Sequence, residues 1–522
     1  MGILNKIDIN IPPHETASRY TDLNIGQIAA AVSECWGSNV SRFYQDFAAD
    51  SEGEQYRREV YAGIKKAGLY ETLCTGCELM LQVLELAKDR EKQVKRQQQM
   101  LTHVHEVQMY CRAVDELYRA LCDKSIPDTH SEGLILLRDE LAAYTQKPEY
   151  VAMRDEANAL TEAVDGLNIT FVYENDKLKF AVEDRPSKAA MPSTEAATAA
   201  PASKSLTSPF RSFNDLAGLE LALIVHIIES RPEVFKRIKK FYSQYTEYRE
   251  DFIMQFFDEI PFYLSYIKFE RYMLSEGFEF TMASVDEARP MEAEELYDLA
   301  LAIANIKRGR PVVRNGFVYE GDEQFFVLTG PNQGGKTTFA RSLGQLVYLT
   351  KLGLPVPAKR ANIHYFSDLL THFSVEESIE TGRGKLLEEL VRLKPMMEQS
   401  GRHFVVINEL FTTAANYDAC IMGKKVLQHF IENNCCGIYV THLTELLSGT
   451  DHATGLCAQL DDNGVQTFRI LRRVMEYNNC AAAQINKYRL NYSELRARLG
   501  ITDTSLDTGL DTSLDAGRKE LV

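Results

Sequence analysis

Nine consecutive residues constrain this chain more than any other feature: Gly330-Pro331-Asn332-Gln333-Gly334-Gly335-Lys336-Thr337-Thr338. An apolar run, Phe325-Phe326-Val327-Leu328-Thr329, precedes them, and a helical pattern begins at Thr337. A strand, a glycine-rich loop and a helix, in that order, form the setting in which G-x-x-x-x-G-K-[ST] cradles the phosphates of a nucleotide. The glycines let the backbone turn its N–H groups inward, and the helix N-terminus adds partial positive charge. Lys336 is expected to reach the β- and γ-phosphates and Thr337 to place its hydroxyl on Mg²⁺. The implied ligands are ATP and Mg²⁺, with Gly330 to Thr338 as the nucleotide-binding residues.

Two more apolar runs end in chemistry. His403-Phe404-Val405-Val406-Ile407 leads into Asn408-Glu409. ATPases with such loops place an acidic residue at this strand end to hold Mg²⁺. Asn408 offers a carbonyl oxygen but no charge, which predicts weaker Mg²⁺ binding and leaves the turnover rate open. Glu409 is the candidate for polarising the attacking water. Gly437-Ile438-Tyr439-Val440 is followed by Thr441-His442. A histidine at the C-terminal end of a parallel strand faces the ligand crevice, so His442 can sense the γ-phosphate or orient water.

Around this kernel, 522 residues imply several domains. The first 160 or so read as helix. Val94, Leu101, Val104, Val107, Cys111, Val114, Leu117 and Leu121 recur at three or four and trace one apolar stripe. Lys92, Lys95, Arg96 and Gln97 to Gln99 form a solvated face or a DNA-facing one. Ile169–Tyr173 and Leu178–Val182 alternate about Glu174–Lys177, which predicts a β-hairpin. Residues 184–209 hold Pro186, Pro192, Pro201 and Pro209 among Ala, Ser, Thr and Lys, the composition of a flexible linker. Helix resumes near Phe213. Phe262, Tyr266, Phe269 and Met273 share one helical face, which packs a core or, alternatively, stacks bases. From about 291 to 500 short apolar runs alternate with helices, the mark of an α/β domain. The tail from 501 repeats Thr-x-Leu-Asp and reads as low complexity.

Composition limits the partners. A net charge of −16 argues against sequence-wide attraction to nucleic acid and leaves room for a local basic patch. No apolar run is long enough for a membrane span. The N-terminus has early charges and no secretory apolar region, so a cytoplasmic location is expected. Ten scattered cysteines suit a reducing compartment. Cys74-Thr75-Gly76-Cys77 lacks a second ligand pair and reads as buried thiols.

Taken together these segments resemble the MutS family of mismatch-repair ATPases. The loop matches that family's Gly-Pro-Asn-x-Gly-Gly-Lys-[ST]-Thr, including Asn332 and the double glycine. Leu354-Pro355-Val356-Pro357 is similar to its Gly-x-x-Val-Pro-Ala. Thr371-His372-Phe373-Ser374-Val375-Glu376 occupies the place of its Ser-Thr-Phe-x-x-Glu. Asn408 to Ala419 aligns with Asp-Glu-x-Gly-Arg-Gly-Thr-Ser-Thr-Tyr-Asp-Gly, and Thr441 to Leu446 looks like Thr-His-x-x-Glu-Leu. Upstream, Tyr56–Val60 and Phe257–Tyr263 are similar to stretches of the family's helical core. The chain departs from the family in Asn408, in Leu410–Ala415, and in leaving little room for a mismatch-reading domain before the helical core.

The resemblance implies a multidomain α and α/β chain. A helical core and lever region (1–183, with a continuation at 210–290) is followed by an ABC-like P-loop NTPase domain over 291–500. It implies an ATPase acting as a homodimer on mismatched or otherwise structured double-stranded DNA. Thr371, Glu376 and Asp418 would then face the partner's nucleotide. Gly382-Arg383-Gly384-Lys385 is either a source of positive charge for the transferring phosphate or a surface turn. Two other classes compete. A nucleotide-regulated protein-interaction module with little hydrolysis is favoured by Asn408. A chromosome-maintenance ATPase needs long heptad arms, and the helical stretches here are too short and broken for those.

Overall fold

The computed structural model describes residues 4, 17–45, 51–66, 69–122, 131–165, 167–174, 177–184, 231–373, 384–461, 465–473 and 491–499. Most of the expected linker, Glu376, Gly382, Arg383 and the repetitive tail lie outside them. The chain divides into two compact units, one helical and one α/β.

The first described helices are α1 (Ala17–Asp22) and α2 (Ile25–Trp36). The helical unit then builds on α3 (Ser51–Lys66), α4 (Leu69–Lys92), α5 (Arg96–Cys122), α6 (Glu132–Thr145) and α7 (Pro148–Asp165). Strands β1 (Leu167–Glu174) and β2 (Lys177–Asp184) pair antiparallel, with Glu174 opposite Lys177 across a two-residue connection. Helices α8 (Pro232–Gln244) and α9 (Asp251–Ser275) are its last described elements.

Of the predicted apolar stripe, Val104, Val107, Cys111, Val114 and Leu117 of α5 are buried and Leu101 and Leu121 half-buried, while Val94 is exposed before the helix begins. The buried face is wider than the apolar residues alone, because it carries His103 and Glu106. Glu106 is fully buried and accepts from Arg90 Nε at 2.8 Å and Tyr248 Oη at 2.5 Å. A buried carboxylate is tolerable only when paired in this way. Phe262, Tyr266, Phe269 and Met273 are all buried, so this aromatic row packs the core and offers no face for stacking bases. Lys92, Lys95 and Arg96 are exposed. Cys74 and Cys77 are free thiols of α4, and burial pushes Cys77 up to about 12.

The α/β unit takes in residues 13–28, and it begins again at Glu276 where the sequence suggested 291. The earlier start follows from sheet pairing. Strand β3 (Ser284–Val285) is the first of a four-stranded sheet with β4 (Glu292–Leu296), β5 (Asn315–Val318) and β7 (Arg360–Ile363), in the order β3-β7-β4-β5. Helix α10 (Leu299–Ile306) lies between β4 and β5 in sequence and is capped by the Asp298 carboxylate, which accepts from Leu301 N. The second sheet has six strands: β6 (Phe325–Thr329), β8 (Asp368–Phe373), β9 (His403–Asn408), β10 (Cys436–Val440), β11 (Ala453–Leu460) and β12 (Gln466–Arg472). Their order is β12-β11-β6-β10-β9-β8, parallel except for the β11–β12 pair. Helices α11 (Lys336–Lys351), α12 (Lys385–Glu398), α13 (Asn416–Glu432) and α14 (Tyr492–Leu499) complete the list. Every residue of β6, β9 and β10 is buried, as continuous apolar runs in a parallel sheet require. No helix among the described residues is long and apolar enough to cross a membrane.

Candidate active site

The parallel register brings three strand ends together. Val440 pairs with Leu328 on one side and with Asn408 on the other. The turns that follow Thr329, Asn408 and Val440 therefore leave the sheet at the same level, on the side where parallel sheets bind ligands. The backbone ties the ends to each other, with Glu409 N donating to Val440 O and Thr441 N to Leu328 O.

The loop after β6 has a conformation that glycine makes possible. Gly330 has φ +133° and Gly335 φ +88°. A Cβ on Gly330 would lie 2.9 Å from Ala458 Cβ and 3.0 Å from Ala458 N. On Gly334 it would lie 3.0 Å from Pro331 O. Lys336 is buried at the first position of α11, and its ammonium donates to Gly330 O at 2.9 Å and Pro331 O at 3.0 Å. The loop thus folds back over its own lysine. Gln333 is left-handed at φ +61°, and Asn332 O accepts from Gln466 Nε2 at 2.9 Å. Phe468, half-exposed, has its ring 3.4 Å from where a Cβ of Gly335 would stand. Gln466, Phe468 and Ala458 carry no sequence signal for this role, since strand pairing alone brings them to the loop.

The structure brings Thr337, Asn408, Glu409 and His442 to this loop's side of the sheet. Thr337 Oγ1 donates to Asn408 Oδ1 at 3.0 Å. His442 Nε2 stands 3.3 Å from Glu409 Oε1. That hydrogen bond, opposed by burial and helped by the charges of Lys336 and Lys385, holds the Glu409 carboxyl below the usual carboxylate range. Glu409 is therefore ionised at neutral pH. Lys385, the first residue of α12, contributes positive potential here.

Residues 409–411 are conformationally unusual. Glu409 has φ +57° and Phe411 φ +61°. A left-handed conformation costs a residue with a side chain about 1–2 kcal/mol, so the surroundings must hold it. Leu410 and Phe411 are buried in the core beneath the sheet. The Phe411 N–H donates at 2.9 Å to Oε2 of Glu389, which α12 buries in that core. Burial raises the Glu389 pKa, against the lowering effects of the Phe411 N–H, Lys385 and Arg392. Sequence patterning gives no hint of Glu389, which is one acid among several on an amphipathic helix.

The remaining predicted residues are placed differently. Thr371, on edge strand β8, is buried, and its hydroxyl donates to Asp22 Oδ2 of the same chain at 2.8 Å. Asp22 ends α1, and the neighbouring Arg19 pairs with Asp368 at 2.5 Å. Asp418 is exposed in the first turn of α13, beside exposed Tyr417.

The donor set suits a nucleotide with Mg²⁺. A hydroxyl and an amide oxygen 3.0 Å apart are neutral hard donors, and the loop admits no Cβ at Gly330 without a shift. A separate cavity of about 550 Å³ opens at the other ends of the strands, lined by Gln324, His364, Arg402 and Cys436. Its guanidinium is committed to Glu287 at 2.7 Å, and none of the loop residues lines it.

Fold and site define an α/β domain with a glycine-rich loop between a buried strand and a helix, and polar side chains converging on it. Residues 326–477 match the family model for MutS domain V. Among similar proteins are the DNA mismatch repair protein MutS of Dinoroseobacter shibae, 28% identical over 191 residues (36% of this chain and 21% of that protein), and MSH3 of Arabidopsis thaliana, 27% identical over 188 residues (34% and 17%). MutS of Thermotoga maritima is 26% identical over 141 residues (27% and 18%). Over this domain the chain is similar to the MutS family. The matched stretch spans about a fifth of the length of these relatives.

Proposed function

We propose that this chain binds ATP with Mg²⁺ and hydrolyses it, and that the cycle governs its hold on double-stranded DNA of mismatched or otherwise distorted structure. The observation that carries the reading is the pairing of two couples beside one phosphate loop, Thr337 with Asn408 and Glu409 with His442.

In the proposed reaction the Lys336 ammonium exchanges its two loop carbonyls for β- and γ-phosphate oxygens. The backbone N–H groups of Gly334 to Thr337 line the phosphates. Glu409 takes a proton from water as its oxygen attacks the γ-phosphorus, and the bond to the β-phosphate oxygen breaks. His442 holds the Glu409 carboxylate in place and keeps it ionised. Thr337 and Asn408 would hold Mg²⁺, which when bound neutralises charge on the phosphates. Because Asn408 brings no charge, the proposal includes weak Mg²⁺ binding and slow turnover.

By family resemblance the working form is a cytoplasmic homodimer, with a composite site to which Asp418 contributes from its exposed position at the start of α13. A second reading rests on Asn408: the chain binds nucleotide without appreciable hydrolysis and presents its helical unit to a protein. ATP binding and turnover in Glu409→Ala test the first reading. Binding retained with turnover abolished supports it, and unchanged turnover removes Glu409 from the catalytic role. Titration of homoduplex, mismatched and branched DNA, with and without ATP and across salt, tests the partner. Absence of binding to all three at low salt favours the interaction module.

A further inference from the structure

Between the catalytic strand and helix α13 the backbone makes two left-handed steps at residues with side chains, Glu409 and Phe411. The first is fixed by the sheet, since Glu409 N donates to Val440 O. The second has no sheet partner. Its amide is held by Glu389 Oε2, a carboxylate oxygen 22 residues away on α12. The carboxyl is only 2% exposed, and its other oxygen has no hydrogen-bond partner among the described residues. Burying a half-satisfied carboxyl is unfavourable, and an apolar side chain would suit this core better if packing alone were required. The contact has a geometric consequence. With Glu409 N tied at one end and Phe411 N at the other, the intervening backbone has little freedom, and the Glu409 carboxylate stays 3.3 Å from His442. Ala414 N closes onto Phe411 O and passes the constraint to the start of α13.

We infer that Glu389 is a positioning residue for hydrolysis: by accepting the Phe411 amide it clamps the left-handed turn 409–411 and so aims Glu409 at the phosphate crevice. The inference rests on the reading of Glu409 as the hydrolytic carboxylate. It goes beyond that reading in assigning the aim to a residue that touches neither nucleotide nor water.

The test compares Glu389→Gln, Glu389→Asp and Glu389→Ala in the full chain. Gln keeps an acceptor oxygen at the same reach, Asp withdraws it by one methylene, and Ala removes it. Two readouts are taken: kcat and KM for Mg·ATP, and hydrogen exchange of the Phe411 amide without nucleotide. The expected result is kcat within about threefold of the parent for Gln and at least tenfold lower for Asp and Ala, with KM within about twofold throughout. Phe411 exchange should accelerate at least tenfold in Asp and Ala only. If Ala does not fold, Gln and Asp decide. Equal loss of kcat in Gln and Asp overturns the proposal, because charge and not the hydrogen bond would then matter. Unchanged Phe411 exchange in Asp also overturns it. If the parent chain binds ATP but does not hydrolyse it, the ATPase reading falls and the exchange pattern alone judges the clamp.

Discussion

Gly330→Ala is the sharpest perturbation of the glycine-rich loop proposed to hold phosphate. The new Cβ would sit 2.9 Å from Ala458 Cβ and 3.0 Å from Ala458 N, and φ at this position is +133°. The backbone conformation alone costs a residue with a Cβ about 1–2 kcal/mol, and the contact with a backbone atom that cannot swing away adds about 1–2 kcal/mol. The loop relaxes by moving its N–H groups off the phosphate positions. Nucleotide binding should then weaken by about 2–4 kcal/mol, which is thirty- to thousandfold. Titration with a fluorescent ATP analogue measures this, with thermal unfolding as a control for the fold. Ala458→Gly in the same background removes the side-chain contact but neither the contact with Ala458 N nor the φ strain, so it should restore only part of the affinity. Unaltered affinity in Gly330→Ala would show that the loop does not hold phosphate in this conformation.

Other consequences follow from buried polar groups and close contacts. Burial, with a smaller contribution from the Arg392 charge, pushes His372 down to about 4, and burial likewise pushes His103 to about 4. The unfolded chain binds these protons near pH 6.5 while the folded chain refuses them, so stability is full above pH 6.5 and falls as pH drops toward 4. By pH 5 the loss is about 2 kcal/mol per histidine, and His372→Leu should flatten the dependence for the α/β unit in denaturant unfolding. Glu106→Ala leaves Arg90 and Tyr248 without their shared acceptor and should destabilise the helical unit by about 3 kcal/mol in the same assay. Gly437→Ala would put a Cβ 2.0 Å from Val405 O in the adjacent strand. It should cost about 3 kcal/mol or more, read as loss of soluble folded protein or a large fall in Tm.

What the sequence made legible, and what it hid, has a physical basis. The strand, glycine-rich loop and helix over 325–351 were legible because the signal is local: they cover fewer than thirty residues, and the loop positions carry their own backbone requirements. That Asn408, Glu409 and His442 would meet at one end of the sheet was legible because each ends or follows a short apolar run. The clamp at Phe411 could not, because nothing in an amphipathic helix marks Glu389 as the acid that turns inward. The bond between Thr371 and Asp22 was hidden by its span of 349 residues. That contact also explains why residues 13–28 group with the α/β unit although their pattern is helical. Glu106 and His103 broke the apolar stripe of α5 without leaving the buried face, since a paired or neutral polar group packs where periodicity anticipates only hydrocarbon.

The most direct test of the central claim is single-turnover cleavage of ATP, with the intact chain in molar excess over nucleotide and Mg²⁺ varied. Release of γ-phosphate should require Mg²⁺ and saturate only at high Mg²⁺, since Asn408 brings no charge. Cleavage should vanish in Glu409→Ala while ATP stays bound. Bound ATP that remains intact at every Mg²⁺ concentration, or cleavage that survives Glu409→Ala, would contradict it.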